Sequence, residues 1–306
     1  MKFRSLIQFF STAATICGNR NYMTGTAVFD GIYLDELNGW WLGNANFNKE
    51  HFRYTTVPLT YSPDYKSPML HRASTTWEFV SEISNSLHSD GKTVMANKAV
   101  EKNVFYMPLV DVIGTEQTAM SGSEYSPQSL STLAVWRSMA YTKPFCILLS
   151  NDYDLFDHET MEKYICRCMT YGIFPSPHDN YNHNGQYFND AAYYERDRDL
   201  FVKYMPSLKT ISESGWEPVT AVTTNAALTV ERFGTVSNIG STYLVIYNEG
   251  KTDITSALQL DLAELGLTDG YTVTDMINGG SETMTGSTVS VSVSAERVTV
   301  LNLSLS

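Results

Sequence analysis

The run Phe29-Asp30-Gly31-Ile32-Tyr33-Leu34-Asp35-Glu36-Leu37-Asn38-Gly39-Trp40-Trp41 begins apolar and β-rich and ends in two acids, an amide and two tryptophans. A strand finishes on adjacent carboxylates when its end opens into a polar site, or when it simply stops in a surface turn, where Asp and Asn are common. Carboxylates beside aromatic rings suit glycoside chemistry: acids handle the glycosidic oxygen and rings stack on sugar faces. Alternation puts Gly31, Tyr33 and Asp35 on one face and Asp30, Ile32, Leu34 and Glu36 on the other, so Asp35 and Glu36 do not point into one site together. Trp40 and Trp41 are candidate sugar platforms, with packing inside a loop as the competing role.

The elements that position such residues follow from the hydrophobic pattern. Residues 27–37 and 93–97 read as strands, and so does 104–114 with Glu116 at its end. Residues 143–150 form a continuous apolar run, as in a parallel strand covered on both faces. Residues 172–176 read as a short strand. Helices are expected over 67–89, where Trp77, Val80, Ile83 and Leu87 recur at helical spacing before Gly91, and from Ser126-Pro127 to 141. Two more are expected over 157–171 and over 191–214, which carries Leu200, Phe201, Tyr204, Leu208 and Ile211. Alternating β and α elements predict parallel strands joined by crossover helices. Four strand ends are polar: Asp35-Glu36, Asn97, Glu116 and Asn151-Asp152. In barrels and open parallel sheets that edge is where sites are built.

Beyond Trp216-Glu217-Pro218 the pattern changes. Short strand candidates lie at 219–224, 228–233, 243–248, 256–262, 271–275 and 289–303. Asn248-Glu249-Gly250, Thr268-Asp269-Gly270 and Asn278-Gly279-Gly280 supply turn signals, and Val289, Val291 and Val293 alternate with serines. This reads as an all-β sandwich of roughly 85 residues. The expected fold is α/β: a partial TIM-type (β/α) barrel of about five β-α units, then the sandwich. The expected divisions are 1–26 as an N-terminal helix or leader, 27–216 as the barrel portion and 217–306 as the sandwich. A closed barrel takes about 250 residues and only roughly 200 are on hand, so the sheet is open or the chain is the C-terminal part of a longer barrel.

Composition narrows the partners. Lys and Arg number 21 against 33 Asp and Glu, a net charge of -12, with no basic block, which disfavours nucleic acid and favours a neutral or cationic ligand. No apolar run is long enough for a transmembrane helix. Residues 1–18 start basic, turn apolar and end small, which resembles a signal peptide; an amphipathic helix is the alternative. A secreted or periplasmic location is slightly favoured over a cytoplasmic one. Cys17, Cys146, Cys166 and Cys168 read as core thiols, because Cys166-x-Cys168 is not a metal spacing. His178 and His183 frame a polar loop that holds a metal or simply forms a rim. G-x-S-x-G, G-x-x-x-x-G-K-[ST] and G-x-G-x-x-G are absent, which disfavours acyl transfer, nucleotide hydrolysis and dinucleotide redox chemistry. Arg196, Asp197 and Arg198 read as a solvated face or a brace to the sandwich, and Glu217 and Glu231 as structural acids.

Asp-Gly-Ile-Tyr-Leu-Asp at 30–35 resembles the fourth-strand signature of retaining glycoside hydrolase barrels, those of the α-galactosidase and α-glucosidase clan and the endo-α-N-acetylgalactosaminidase-type enzymes. Tyr-Gly-Ile-Phe-Pro-Ser at 171–176 resembles their eighth strand, and Glu-Arg-Asp-Arg-Asp-Leu-Phe at 195–201 their last barrel helix. The resemblance implies a (β/α)8 barrel followed by a β-sandwich, with strands one to three missing here. It implies Asp35 as nucleophile and Glu116 as acid/base, with Asp111 the rival of Glu116 or a buried structural acid. In a retaining pair the two carboxyls stand about 5–5.5 Å apart. Asn97, Asn151 and Asp152 are candidate contacts to an oligosaccharide or glycoside, along with Glu36, Trp40, Trp41 and Asp111; an Asx-type turn is the plain alternative for Asn97 and a helix cap for Asp152. No cofactor is implied. The competing readings are a carbohydrate-binding or scaffold fragment without turnover, and a metal-dependent hydrolase using Asp35, Glu36 and His178.

Overall fold

A computed structural model of the chain describes residues 30–35, 37, 45–102, 104–180 and 185–305. The expectations for the leader and for Cys17, Glu36, Trp40, Trp41 and His183 lie outside the described residues. The chain forms two compact units, Met1–Asp111 and Val112–Ser306.

In the first unit, β1 (Gly31–Leu34) is followed by β2 (Ala45–Asn46), the short helix α1 (Lys49–Phe52), β3 (Thr60–Ser62), β4 (Ser67–His71), helix α2 (Arg72–Ser89), β5 (Thr93–Ala96) and the single turn α3 (Ala99–Lys102). β1 and β5 lie parallel, with Gly31 opposite Thr93 and Leu34 opposite Ala96. Their approach is tightest at Gly31, where a Cβ would lie 2.2 Å from the Thr93 carbonyl oxygen. β4 pairs antiparallel with both β2 and β3.

Two expectations need correction here. The helix read over 67–89 starts only at Arg72, because Ser67–His71 is the middle strand of the small sheet. Pairing on both edges decides the matter, and Pro68 disfavours a helical Ser67. The strand read over 104–114 also divides. Val104–Leu109 winds into a 3-10 turn containing Pro108, and the strand proper begins at Val112. In α2, Val80 is fully buried but Trp77 stays 43% exposed, outside the inward stripe its spacing suggests.

The second unit opens with β6 (Val112–Gln117), the hairpin β7 (Met120–Ser121) and β8 (Glu124–Tyr125), α4 (Leu130–Ala140), β9 (Phe145–Asn151), α5 (His158–Thr170), β10 (Ile173–Asn180), β11 (Gly185–Gln186) and the long α6 (Ala191–Ser214). β6, β9 and β10 are parallel with β9 in the middle, and β11 returns antiparallel to β10. The helices begin where side chains satisfy their first amides. Ser129 accepts from Thr132 N at 3.1 Å, which sets the start of α4 at Leu130 rather than at Pro127. Asp157 accepts from Thr160 N at 2.9 Å at the head of α5. Tyr164 to Thr170 are buried without a break, so the C-terminal half of α5 is covered all round. Burial pushes the Cys166 and Cys168 thiols up to about 11 and about 12, as befits core thiols.

From Trp216 the chain is β-rich: β12 (Trp216–Glu217), β13 (Val222–Thr223), β14 (Thr229–Phe233), the turn α7 (Val236–Ile239), β15 (Ser241–Tyr247), β16 (Ile254–Leu260), the turn α8 (Leu262–Leu265), β17 (Tyr271–Asp275), β18 (Ser281–Met284), β19 (Thr288–Val293) and β20 (Val298–Ser304). One antiparallel sheet runs β12-β14-β15-β20-β17-β18 and another β13-β16-β19. Leu244, Ile246, Leu301 and Leu303 of the first share a buried cluster with Leu258, Val289, Val291 and Val293 of the second. Each such side chain contributes about 1.5–3 kcal/mol of burial, which holds the sheets together. The run read as a strand over 289–303 is two strands, turned where Arg297 N donates to Ser294 O at 3.1 Å.

The β-rich part is joined tightly to the parallel layer of its own unit. Gly172 has φ +60°, and a Cβ there would come 2.6 Å from Cε1 of Phe233. Arg137, on α4, donates to four carbonyls that precede β9 and β10: Tyr171 at 2.8 Å, Tyr141 and Lys143 at 2.9 Å, and Gly172 at 3.0 Å. Arg167 of α5 reaches Gln128 O at 2.8 Å and the Glu249 carboxylate at 2.9 Å. Among the described residues, no helix is long and apolar enough to cross a membrane.

Candidate functional site

In the first unit the site residues gather at the C-terminal end of the parallel pair. Asn97 continues the ladder past β5, its N–H donating to Leu34 O at 2.9 Å. That register places its side chain beside Asp35, and Asn97 Nδ2 donates to Asp35 Oδ1 at 2.8 Å. The Tyr33 hydroxyl donates to the same oxygen at 3.0 Å, so Tyr33 and Asp35 share a face as alternation requires. Asn97 is fully buried while Asp35 is exposed. A solvent-facing carboxylate is thus fixed by a buried amide, the arrangement a nucleophile or a charge-stabilising group needs. Asn97 thus acts on Asp35.

Asp111 lies at the other end of β5. Its carboxylate accepts from Val94 N at 2.7 Å and meets His88 Nε2 at 2.8 Å. These contacts spend the group on backbone and helix, and Asp111 is hydrogen-bonded but only partly buried.

In the second unit, Glu116 is the penultimate residue of β6 and registers with Leu148 of β9. Registered neighbours point the same way, so Glu116, Leu148 and Ser150 share one face. Ser150 Oγ donates to Glu116 Oε1 at 3.3 Å. Ser176 of β10 registers with Leu148 and joins that face. Cys146 lies there too, hydrogen-bonded to Ser176, and burial pushes its thiol up to about 11, which leaves it unreactive. The opposite face carries Thr115, Ile147 and Leu149, all fully buried.

Asn151 falls on that opposite face. Its Oδ1 accepts from Thr118 Oγ1 at 2.7 Å and Ala119 N at 3.0 Å, which pins the segment after β6 and leaves its buried Nδ2 without an acceptor. Asp152 folds a turn, accepting Asp154 N on its carboxylate at 3.1 Å; the cap of α5 is Asp157 instead. His178 is exposed and its N–H donates to Tyr153 OH at 3.2 Å. Among the described residues, no three or more His, Cys, Asp or Glu gather as a metal site would require.

In the Arg196-Asp197-Arg198 cluster, Arg198 lies on a solvated face and pairs with exposed Glu195, whereas Arg196 and Asp197 depart from it. Asp197 is fully buried and receives Arg196 Nε at 2.9 Å, Arg196 Nη2 at 2.7 Å and Tyr187 OH at 2.8 Å. Arg196 also donates to Tyr153 O and Phe156 O, so the pair braces the β9–α5 connection instead of the β-rich part. Glu231 accepts from Trp216 Nε1 at 2.7 Å, and burial pushes its carboxyl above the usual range. Two contributors escaped the sequence reading. Tyr33 was legible as a face-mate of Asp35 two residues earlier, and Ser150 as the last small polar residue before the polar strand end.

No family model matches this chain, and no curated protein matches it. Solved structures do. It is similar to the isomalto-dextranase of Arthrobacter globiformis T6, solved with panose, at 12% identity and TM-score 0.49 over 90% of this chain and 46% of that one. It is similar to α-galactosidase I of Mortierella vinacea at 10% identity and TM-score 0.45, over 76% and 65% of the two chains. A family 30 endoxylanase of Clostridium papyrosolvens C71 is 12% identical at TM-score 0.40, over 81% and 76%. All three are glycoside hydrolases, and the likeness is distant.

Proposed function

We propose that this chain is a glycoside hydrolase-like protein that cleaves O-glycosidic bonds by a retaining mechanism. Residues 27–216 would be a portion of a (β/α) barrel and 217–306 a β-sandwich. Asp35 attacks the anomeric carbon and Glu116 protonates the departing glycosidic oxygen, then activates the water that releases the sugar. Glu36, Trp40 and Trp41 would line the sugar path. Asn97 and Tyr33 hold the nucleophile, and Ser150 holds the acid/base.

The observation that carries this reading is Asp35 itself. A strand-end carboxylate faces solvent while a fully buried amide and a tyrosine hydroxyl donate to one of its oxygens. A turn-forming Asp needs no such second layer. The test is hydrolysis of aryl glycosides of different sugars and both anomers by wild type, Asp35→Asn and Glu116→Gln. Losing an acid/base or nucleophile lowers kcat by roughly 10²–10⁴-fold. Hydrolysis unchanged in Asp35→Asn would falsify the assignment. A second reading, sugar binding without turnover, is favoured by the parallel strands: two in the first unit and three in the second. It predicts sugar binding by wild type with no hydrolysis of any glycoside.

A further inference from the structure

Arg232 occupies a position where the β-rich part should be apolar. It sits on β14 two residues after Val230, which packs on the cluster shared by the two sheets, so both face inward. Its ladder partners are Leu244 of β15 and Glu217 of β12. Only 4% of the residue is exposed. A guanidinium buried so deeply is costly unless acceptors surround it. Here they do not. Nη1 donates to Val219 O at 3.1 Å and makes a long ion pair of 3.8 Å with Glu264 Oε1. Nε is buried with no acceptor. Glu217 lies directly across the ladder, yet no ion pair joins it to Arg232 among the described residues.

A cavity of about 420 Å³ opens at this point, lined by Arg232, Glu217, Glu264, Thr235, Ser237 and Val219 among others. That volume lies within the range of small-molecule sites, and the guanidinium supplies the buried, under-used donors such sites contain. The lining also defines the ligand. One cation and two carboxylates leave a net negative wall, which repels an anion, while the arginine repels a cation. Donors and acceptors line the same cavity, together with the hydroxyls of Thr235 and Ser237 and apolar residues such as Val219, Val236 and Leu265. A group of adjacent hydroxyls satisfies this set, because each accepts from the guanidinium while donating to a carboxylate.

We propose that this cavity binds a neutral polyhydroxylated ligand, a saccharide unit, whose hydroxyls bond to Arg232 and to the carboxylates of Glu217 and Glu264 along its wall. The site stands independently of any role for Asp35 and Glu116.

The test is amide-resolved NMR titration of the intact, isotope-labelled protein with maltose, xylobiose and galactose, and in parallel with inorganic phosphate and glucuronate. At least one neutral sugar should shift the amides of Thr235, Ser237 and Gly266 saturably, and Asp35→Asn should show the same shifts. Arg232→Met should weaken that binding at least tenfold. Should that variant fail to fold, Glu264→Gln on a half-exposed side chain and Ser237→Ala should each weaken it several-fold. Saturation by the anions alone would overturn the proposal. So would the absence of shifts at these amides with every sugar, or sugar affinity unchanged in all the variants.

Discussion

Replacing Arg137 by Met should destabilise the Val112–Ser306 unit far more than an ordinary surface change. The methionine keeps the aliphatic body but removes every donor. The carbonyls of Tyr171 and Gly172 are reached in a buried setting and would be left without a partner, at about 1–3 kcal/mol each. The Tyr141 and Lys143 carbonyls are only partly buried, so water can replace the guanidinium there at little cost. One gain opposes the loss: burial already holds the Arg137 guanidinium down to about 10, so removing it also removes a poorly solvated charge. The balance is a loss of about 2–4 kcal/mol, or roughly 5–15 °C in Tm for a unit of this size. Arg137→Lys should recover only part of it, since a point-like ammonium cannot span four carbonyls set around a planar fork. Calorimetry and urea midpoints at fixed protein concentration measure both variants. An Arg137→Met protein within about 0.5 kcal/mol of wild type would refute the argument, as would a lysine variant equal to wild type.

Two acids test the same electrostatics with opposite signs. The Asp157 carboxyl is held below its usual range by its bonds to Thr160, so its stabilising contribution exists above the unfolded value and fades as pH falls through the folded one. Asp157→Ala should therefore cost about 0.5–2 kcal/mol at pH 7 and progressively less in acid; a loss independent of pH would contradict this. Burial raises the Glu231 carboxyl despite the Trp216 bond and Arg137, so its ionisation costs stability once pH has risen past both its unfolded and folded values. Glu231→Gln, which can still accept from Trp216, should be more stable than wild type at pH 7 and match it once both are neutral. Thermal melts from pH 3 to 8 decide it, and a destabilised Gln variant at pH 7 would reverse the sign.

Much of the second unit was legible because its signals are local. The short unbroken apolar run before Asn151, the helical spacing of residues 191–214 and the valines alternating with serines after residue 288 are each read within a few residues. Ser67–His71 was not legible. A five-residue run abutting an amphipathic helix has no period of its own, and only its two ladder partners make it a strand. Val104–Leu109 reads as β from its composition, and Pro108 alone hints otherwise. At the candidate site the face of Asp35 and its neighbour Tyr33 followed from alternation, whereas the Asn97 donor depended on a register between residues 31–34 and 93–96 that no short-range pattern encodes. Asn151 shows the converse: its place at a strand end was evident, but the parity of the strand turned it away from Glu116.

The all-round covering of the C-terminal half of α5 links the order of synthesis to the completion of the core. Its residues approach β15 and β20 as well as β10, and the Val298 backbone is a hydrogen-bonding neighbour of the Cys166 thiol. Translation delivers β20 after β10, α6 and β15. While the chain still ends before Val298, α5 can dock on β10 and α6, but the side bearing Cys166 has nothing to close it. Gly172 extends the dependence, because the ring that fills the space beside it belongs to Phe233, more than a helix and several turns downstream. The parallel layer of this unit cannot reach its native packing ahead of the sheets that follow it in the chain, so the two should mature as one cooperative body and not in the order in which they leave the ribosome.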